Sequence, residues 1–338
     1  MIFQSINKVP GFKIGHAQNL DALTGCTVIL CDDGSIGGVD QRGGAPGTRE
    51  TDLLRPLHLV DSVNAILLAG GSAYGLDAAG GVMKYLEEEG RGVNVGPTVV
   101  PIVPAAVLMD LGIGDPKIRP DQTMGYLACL NASDEEPQQG NFGAGTGATV
   151  GKVLGISQAM KGGIGHAAVE IGGGVWIGAI IAANALGDIV APNQRKIIAG
   201  TRTIKKSIVK IGSDDYFADS LSIMASYLGQ KSLGFAARQN TVIGAVLTNA
   251  KLTKDETNKL AQAGQNGLVL CVQPSHTMFD GDTMFAVSSQ KKPSDVNAVC
   301  AFAPHVVAQA ILNAVLTAES VKGIPAASDI SQFERQDT

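Results

Sequence analysis

Short apolar runs bounded by glycine or polar residues recur along the whole chain, at Thr27–Cys31, Ala65–Leu68, Ala167–Ile171, Val175–Ala183, Val242–Thr248 and Met284–Ser288. Runs of this length and boundary predict buried strands. The longest uncharged apolar segment, Ile171 to Gly187, is broken by glycines and falls short of the ~18 residues of a membrane span, so it too predicts strand. A different period governs the C-terminal region. There Val296, Val299, Cys300, Ala303, Val306, Val307, Ala310, Ile311, Ala314 and Val315 follow the three-and-four spacing of a helix with one buried stripe. A second helix is predicted from Thr253, whose T-x-x-E spacing to Glu256 forms a capping box, through Leu260, Gly264 and Leu268. A third runs from about Leu76 to Glu89 and stops at Gly90.

Strands and helices alternate irregularly, with no clean βαβ series and no strong linker. Ser133–Asn141 and Gly212–Asp215 read as surface loops. The expectation is one α/β domain over residues 1–338, with layered sheets and helices outside. Composition narrows the picture. Glycine supplies 43 of 338 residues, against a usual ~7%, which implies many turns or close backbone approaches. Lys+Arg 26 against Asp+Glu 31 gives a net charge of −5, and no basic run offers a polyphosphate a partner, so nucleic acid is not an expected ligand. The N-terminal stretch lacks the apolar core of a secretory signal, and the five cysteines are scattered and set mostly in apolar runs. A cytoplasmic protein with buried free thiols, not attached to a membrane, is expected.

Three segments could carry chemistry. In NFGAGTGATVGK, residues 141–152, the glycines could form an anion-binding nest beside Lys152, or serve only as a structural turn. The phosphate-loop pattern fails, because Thr146 stands where its first glycine belongs and Val153 where its hydroxyl belongs. In HTMFDGDTMFAV, residues 276–287, extended backbone would place Asp280 and Asp282 on one face, able to orient a cation or a proton-bearing group, bind a metal or cap a turn. His276 alone reads as an ordinary, partly buried histidine. In QNTVIGAVLTNA, residues 239–250, Thr241 opens a strand. If the bond before it broke, its hydroxyl would sit beside an α-amine of reference pKa about 7.7–8.0, a built-in general base.

These blocks, together with PGFKIGHAQNLDALTGCTVI, RGGAPGTRETDLL, LLAGGSAYGLDAAGGVMKYLEE and ANALGD, occur in one order over residues 10–318. In this the chain resembles the DmpA-type L-aminopeptidase/D-amidase family of self-processing amidohydrolases, which includes β-peptidyl aminopeptidases and nylon-oligomer hydrolases. The resemblance implies a four-layer αββα sandwich and a chain that cuts itself between Asn240 and Thr241, with fragments 1–240 and 241–338 remaining together. It implies Thr241 as nucleophile, Asn184 as the oxyanion-stabilising amide, Lys152 as a catalytic lysine, and Asp280 and Asp282 as the pair holding the nucleophile's amine and hydroxyl. No metal or organic cofactor is expected, the substrate would be a small peptide, amide or ester, and the assembly a homo-oligomer such as a tetramer.

Serine-branch relatives carry Ser and Glu where Asp280 and Asp282 stand, and some nylon-oligomer hydrolases carry an active-site tyrosine where this chain offers Met109. Two alternatives stay open at this point. One is an acyltransferase, since ornithine acetyltransferases share the fold and cleave themselves at a threonine; the other is a nucleotide-binding regulatory protein using GAGTGATVGK.

Overall fold

Two five-stranded sheets lie face to face in the computed structural model, which describes residues 1–192, 196–206, 209–211, 216–226 and 240–333. Their strands are, in chain order, β1 (Phe12–Asn19), β2 (Thr24–Cys31), β3 (Ile36–Gln41), β4 (Thr48–Arg49), β5 (Ala65–Ala69), β6 (Ala105–Val107), β7 (Gly163–Glu170), β8 (Trp176–Asn184), β9 (Thr241–Ala250) and β10 (Thr283–Lys292). The first sheet has the order β1-β2-β5-β6-β4 and the second β7-β8-β9-β10-β3. The helices that cover them are α1 (Ala78–Glu88), α2 (Gln122–Leu130), α3 (Lys254–Cys271) and α4 (Val296–Leu316).

Alternation along single strands builds the layers. In β2 and β5, Val28, Leu30, Ala65 and Leu67 pack with Val82 and Leu86 of α1 and Ala128 of α2, whereas Ile29, Ile66 and Leu68 face the second sheet. There they meet Ile180, Ala182, Ile243, Ala245, Leu247 and Phe285. The opposite residues of the second sheet, among them Val242, Val246 and Met284, pack on Leu260 and Leu268 of α3 and Val306 and Ile311 of α4. The order of layers is therefore αββα, as the resemblance implies. Because each sheet is covered on both faces, its central strands read as continuous apolar runs and not as alternating ones.

The Thr253–Glu256 capping box is present at the start of α3, and α4 follows the predicted stripe. By length and composition α4 is apolar enough to cross a membrane, yet it packs against β7, β8 and α3. The loop Ser133–Asn141 has no regular secondary structure beyond isolated bridges, and the proposed loop Gly212–Asp215 lies outside the described residues. Several expectations need correction. β7 starts at Gly163, not at Ala167, and the first turn of the helix expected from Leu76 is 3-10, the α-helix beginning at Ala78. The irregular alternation of strands and helices contains two single βαβ crossovers and no continuous series of them. Parallel neighbours β5 and β6 are joined through α1, and β9 and β10 through α3, one crossover in each sheet.

That second crossover positions the site. Parallel β9 and β10 start at the same end of the sheet, and β8, antiparallel to β9, finishes there. Asn184 at the end of β8, Thr241 at the head of β9 and Asp282 just before β10 thus arrive together by topology.

Candidate active site

Thr241 is buried, and its Oγ1 donates to the carbonyl oxygen of Asn240. The same carbonyl accepts the Gly281 N–H at 3.1 Å, a bond that goes with the parallel bridge between Asn240 and Asp280. The Asn240 carboxamide is buried with neither of its polar atoms hydrogen-bonded among the described residues. On the other side of β9, Asn184 is the direct register partner of Thr241. Even-numbered residues 180 and 182 of β8 and odd-numbered residues 243 and 245 of β9 face the space between the sheets, so Asn184 and Thr241 share that side.

Asn184 is held on several sides. Its Oδ1 accepts the Thr149 N–H at 3.0 Å and the Lys152 Nζ at 2.8 Å, and its Nδ2 donates to the Met109 carbonyl at 3.1 Å. Lys152 also donates to the Asn184 carbonyl at 2.9 Å. Burial drives the Lys152 amine down to about 7, against the opposing pull of Asp280, Asp110 and Asp282. Met109 thus reaches the site through its backbone oxygen.

The two aspartates have separate partners. Asp280 Oδ2 accepts the Thr277 N–H at 2.9 Å and its hydroxyl at 2.6 Å. Burial first, then the charge of Asp282, push the Asp280 carboxyl up to about 6, although Thr277 and Lys152 pull the other way. Asp282 Oδ1 accepts the Val242 N–H at 2.8 Å, and its Oδ2 takes the N–H and Nδ1 of His276 at 3.0 and 2.9 Å. Among the described residues no group of three or more His, Cys, Asp or Glu side chains is placed to hold a metal ion.

All five candidates are therefore in one place. Sequence reasoning missed His276 and Thr277 as partners of the acids. The T-x-x-D spacing of Thr277 to Asp280, a side-chain turn pattern, was the one available signal. The glycine-rich loop is no anion nest. The N–H groups of Gly143 to Thr146, Ala148, Thr149, Gly151 and Lys152 all donate within the protein. Buried Lys161 fastens the same loop by donating to the carbonyls of Gly145, Ala148 and Gly162. Its job is to deliver Thr149 and Lys152 to Asn184.

Known proteins share the sequence pattern and the fold. The profile of peptidase family S58 matches residues 4–328. An uncharacterized aminopeptidase of Mycobacterium leprae (strain TN) is 38% identical over 95% of this chain and 92% of its own. A 6-aminohexanoate-oligomer endohydrolase of Kocuria sp. (strain KY2) is 31% identical over 83% of this chain and 74% of its own. The structure of the L-aminopeptidase D-Ala-esterase/amidase from Ochrobactrum anthropi, described as a variant of the Ntn hydrolase fold, superposes with a TM-score of 0.70 at 17% identity, covering 98% of this chain and 94% of that one. On these matches the chain belongs to peptidase family S58 and is a hydrolase of peptide or amide bonds.

Proposed function

We propose that the protein is a self-processing N-terminal-threonine amidohydrolase, cut between Asn240 and Thr241 into fragments 1–240 and 241–338 that stay together. The observation that carries this reading is the Thr241 hydroxyl donating to the carbonyl of the very bond to be cut, at the strand end shared with Asn184. In the uncut chain no α-amine is available as base. Lys152, held near neutrality by burial, is suited to take the hydroxyl proton. Thr241 Oγ1 then bonds to the Asn240 carbonyl carbon, the C–N bond breaks, and the nitrogen takes the proton. Water opens the resulting ester, leaving Asn240 as a carboxylate and Thr241 with a free amine.

In the mature enzyme that amine replaces Lys152 as the proton shuttle, and the same hydroxyl attacks a substrate carbonyl. Asn184 stabilises the developing oxyanion, and Asp280 and Asp282 hold the ammonium. Water then releases the acyl group. The substrate class is a small peptide, amide or ester, in line with relatives named as an aminopeptidase and an oligomer endohydrolase. A cytoplasmic homo-oligomer is part of the reading. Five cysteines free of disulfides, four of them buried, suit a reducing compartment.

Intact-mass analysis of purified protein tests the proposal. Two fragments with masses for a cut at 240–241 are expected, while Thr241→Ala should stay one chain and hydrolyse no amide. A lasting single chain with full amidase activity would sink it. Adding an amine acceptor to the assay separates hydrolysis from acyl transfer.

A further inference from the structure

We propose that His276 is a positioning residue for this reaction, acting through Asp282 on the head of β9; the inference rests on the reading of Thr241 as nucleophile. An ionised carboxylate only accepts, so the 2.9 Å bond from His276 to Asp282 makes Nδ1 the donor. Asp282 is thereby gripped from two sides. The loop leaving α3 holds Oδ2 through the N–H and Nδ1 of His276, and Oδ1 holds the N–H of Val242, the residue after the nucleophile. Without Nδ1 the carboxylate keeps a single backbone contact on that side and is free to turn away from Val242.

Two further observations belong to the same residue. His276 has φ +56°, a left-handed conformation that a side chain bearing Cβ adopts at a cost and that persists where surrounding contacts over-determine it. Its Nε2 is buried with no hydrogen-bond partner among the described residues, so Nδ1 carries the side chain's only polar anchorage there. The ionisable groups around Asp282 are His276 and Asp280 on its own loop and Lys152 from the loop opposite. Loss of Nδ1 therefore lets the carboxylate swing and the head of β9 shift, which slows turnover without weakening substrate binding, a split that a merely structural histidine would not give.

His276→Gly and His276→Asn make the comparison. Both residues accept left-handed φ, and asparagine alone places a donor where Nδ1 stands. Hydrolysis of an aminoacyl p-nitroanilide that the wild type accepts is followed against substrate concentration, beside intact mass. His276→Gly should lower kcat by about tenfold or more with KM little changed, because a small misplacement near the nucleophile is costly. His276→Asn should keep most of kcat. Should the glycine variant not fold, His276→Gln, whose donor sits farther out, takes its place. Wild-type kcat in the variant lacking the donor, a loss carried by KM instead of kcat, or equal impairment of His276→Asn would overturn the inference while a wild type cut at 240–241 left the nucleophile reading intact. An uncut, active wild type would overturn both.

Discussion

Asn184, the last residue of β8, and Thr241, the first of β9, stand directly opposite one another in an antiparallel register. Sheet geometry therefore fixes their separation, and it does so with both side chains on the inter-sheet side, beside the buried Lys152 amine. Proposed nucleophile, amide donor and base are set by one ladder and one loop.

The first prediction concerns that amide. Asn184→Ala removes the donor and leaves Lys152 without its 2.8 Å partner. Hydrolysis should fall about 10²–10³-fold in kcat, the usual cost of one oxyanion donor. Asn184→Asp should do more, since a carboxylate beside Lys152 would hold the amine protonated and shift the onset of self-cleavage to higher pH. Rates within twofold of wild type in both variants would remove Asn184 from the mechanism.

Lys152 gives a pH signature to the cut itself. The neutral amine is the proposed base, and burial brings its pKa down to about 7. The first-order rate of conversion of the single chain into fragments should rise with pH up to about 7 and level off above. Lys152→Arg keeps the positive charge but cannot release a proton, so its cut should slow by about 10²–10⁴ at every pH in this range. A pH-independent cut in wild type would exclude this base.

Asp280 sets stability against activity. Its carboxyl is pushed up to about 6 by burial and by Asp282, so in the uncut fold it is ionised at neutral pH at a cost. For an acid whose folded pKa is raised, stability is lost as pH climbs from the ordinary carboxylate value of about 3.9 through that raised value. Asp280→Asn mimics the protonated form. Made in a Thr241→Ala background, so that every chain stays uncut, it should raise Tm at pH 7.5 and change it little at pH 4. Equal Tm differences at both pH values would contradict the assignment.

How much of this was legible in the sequence depended on how local each signal was. The Thr253–Glu256 box and the stripe ending at Val315 specify α3 and α4 within a few turns of chain, and the structure has both. β3, with its Gly37–Gly38 pair and exposed Gln41, carries no apolar run, yet it is a strand because Asn258 of α3 accepts the Val39 N–H while β10 pairs alongside. The crossover through α1 was invisible because residues 89–104 separate that helix from β6. In the site, Thr241 stood out only through resemblance, since a threonine opening a strand is unremarkable by itself. The grip of His276 on Asp282 depends on a backbone turn with φ +56° that no residue spacing encodes.

Gly281, between the two aspartates, supplies the last prediction. Its N–H donates to the carbonyl of the bond to be cut, and its missing side chain leaves room for the nucleophile. A Cβ there would lie 2.6 Å from the Ala45 carbonyl oxygen and 2.8 Å from Thr241 Oγ1, closer than folded proteins allow. One neighbour is backbone and cannot swing aside, so Gly281→Ala must displace either the 42–47 loop or the threonine. The overpacking should cost about 1–3 kcal/mol of stability, readable in a thermal melt. The larger effect falls on chemistry, because moving Oγ1 or the Gly281 N–H by even a fraction of an ångström spoils the line of attack, and self-cleavage should slow by about 10²-fold. A Gly281→Ala chain that matures at the wild-type rate would show that the hydroxyl approaches the carbonyl from another side, and the arrangement of Asn184, Lys152 and Asp282 around that approach would have to be redrawn.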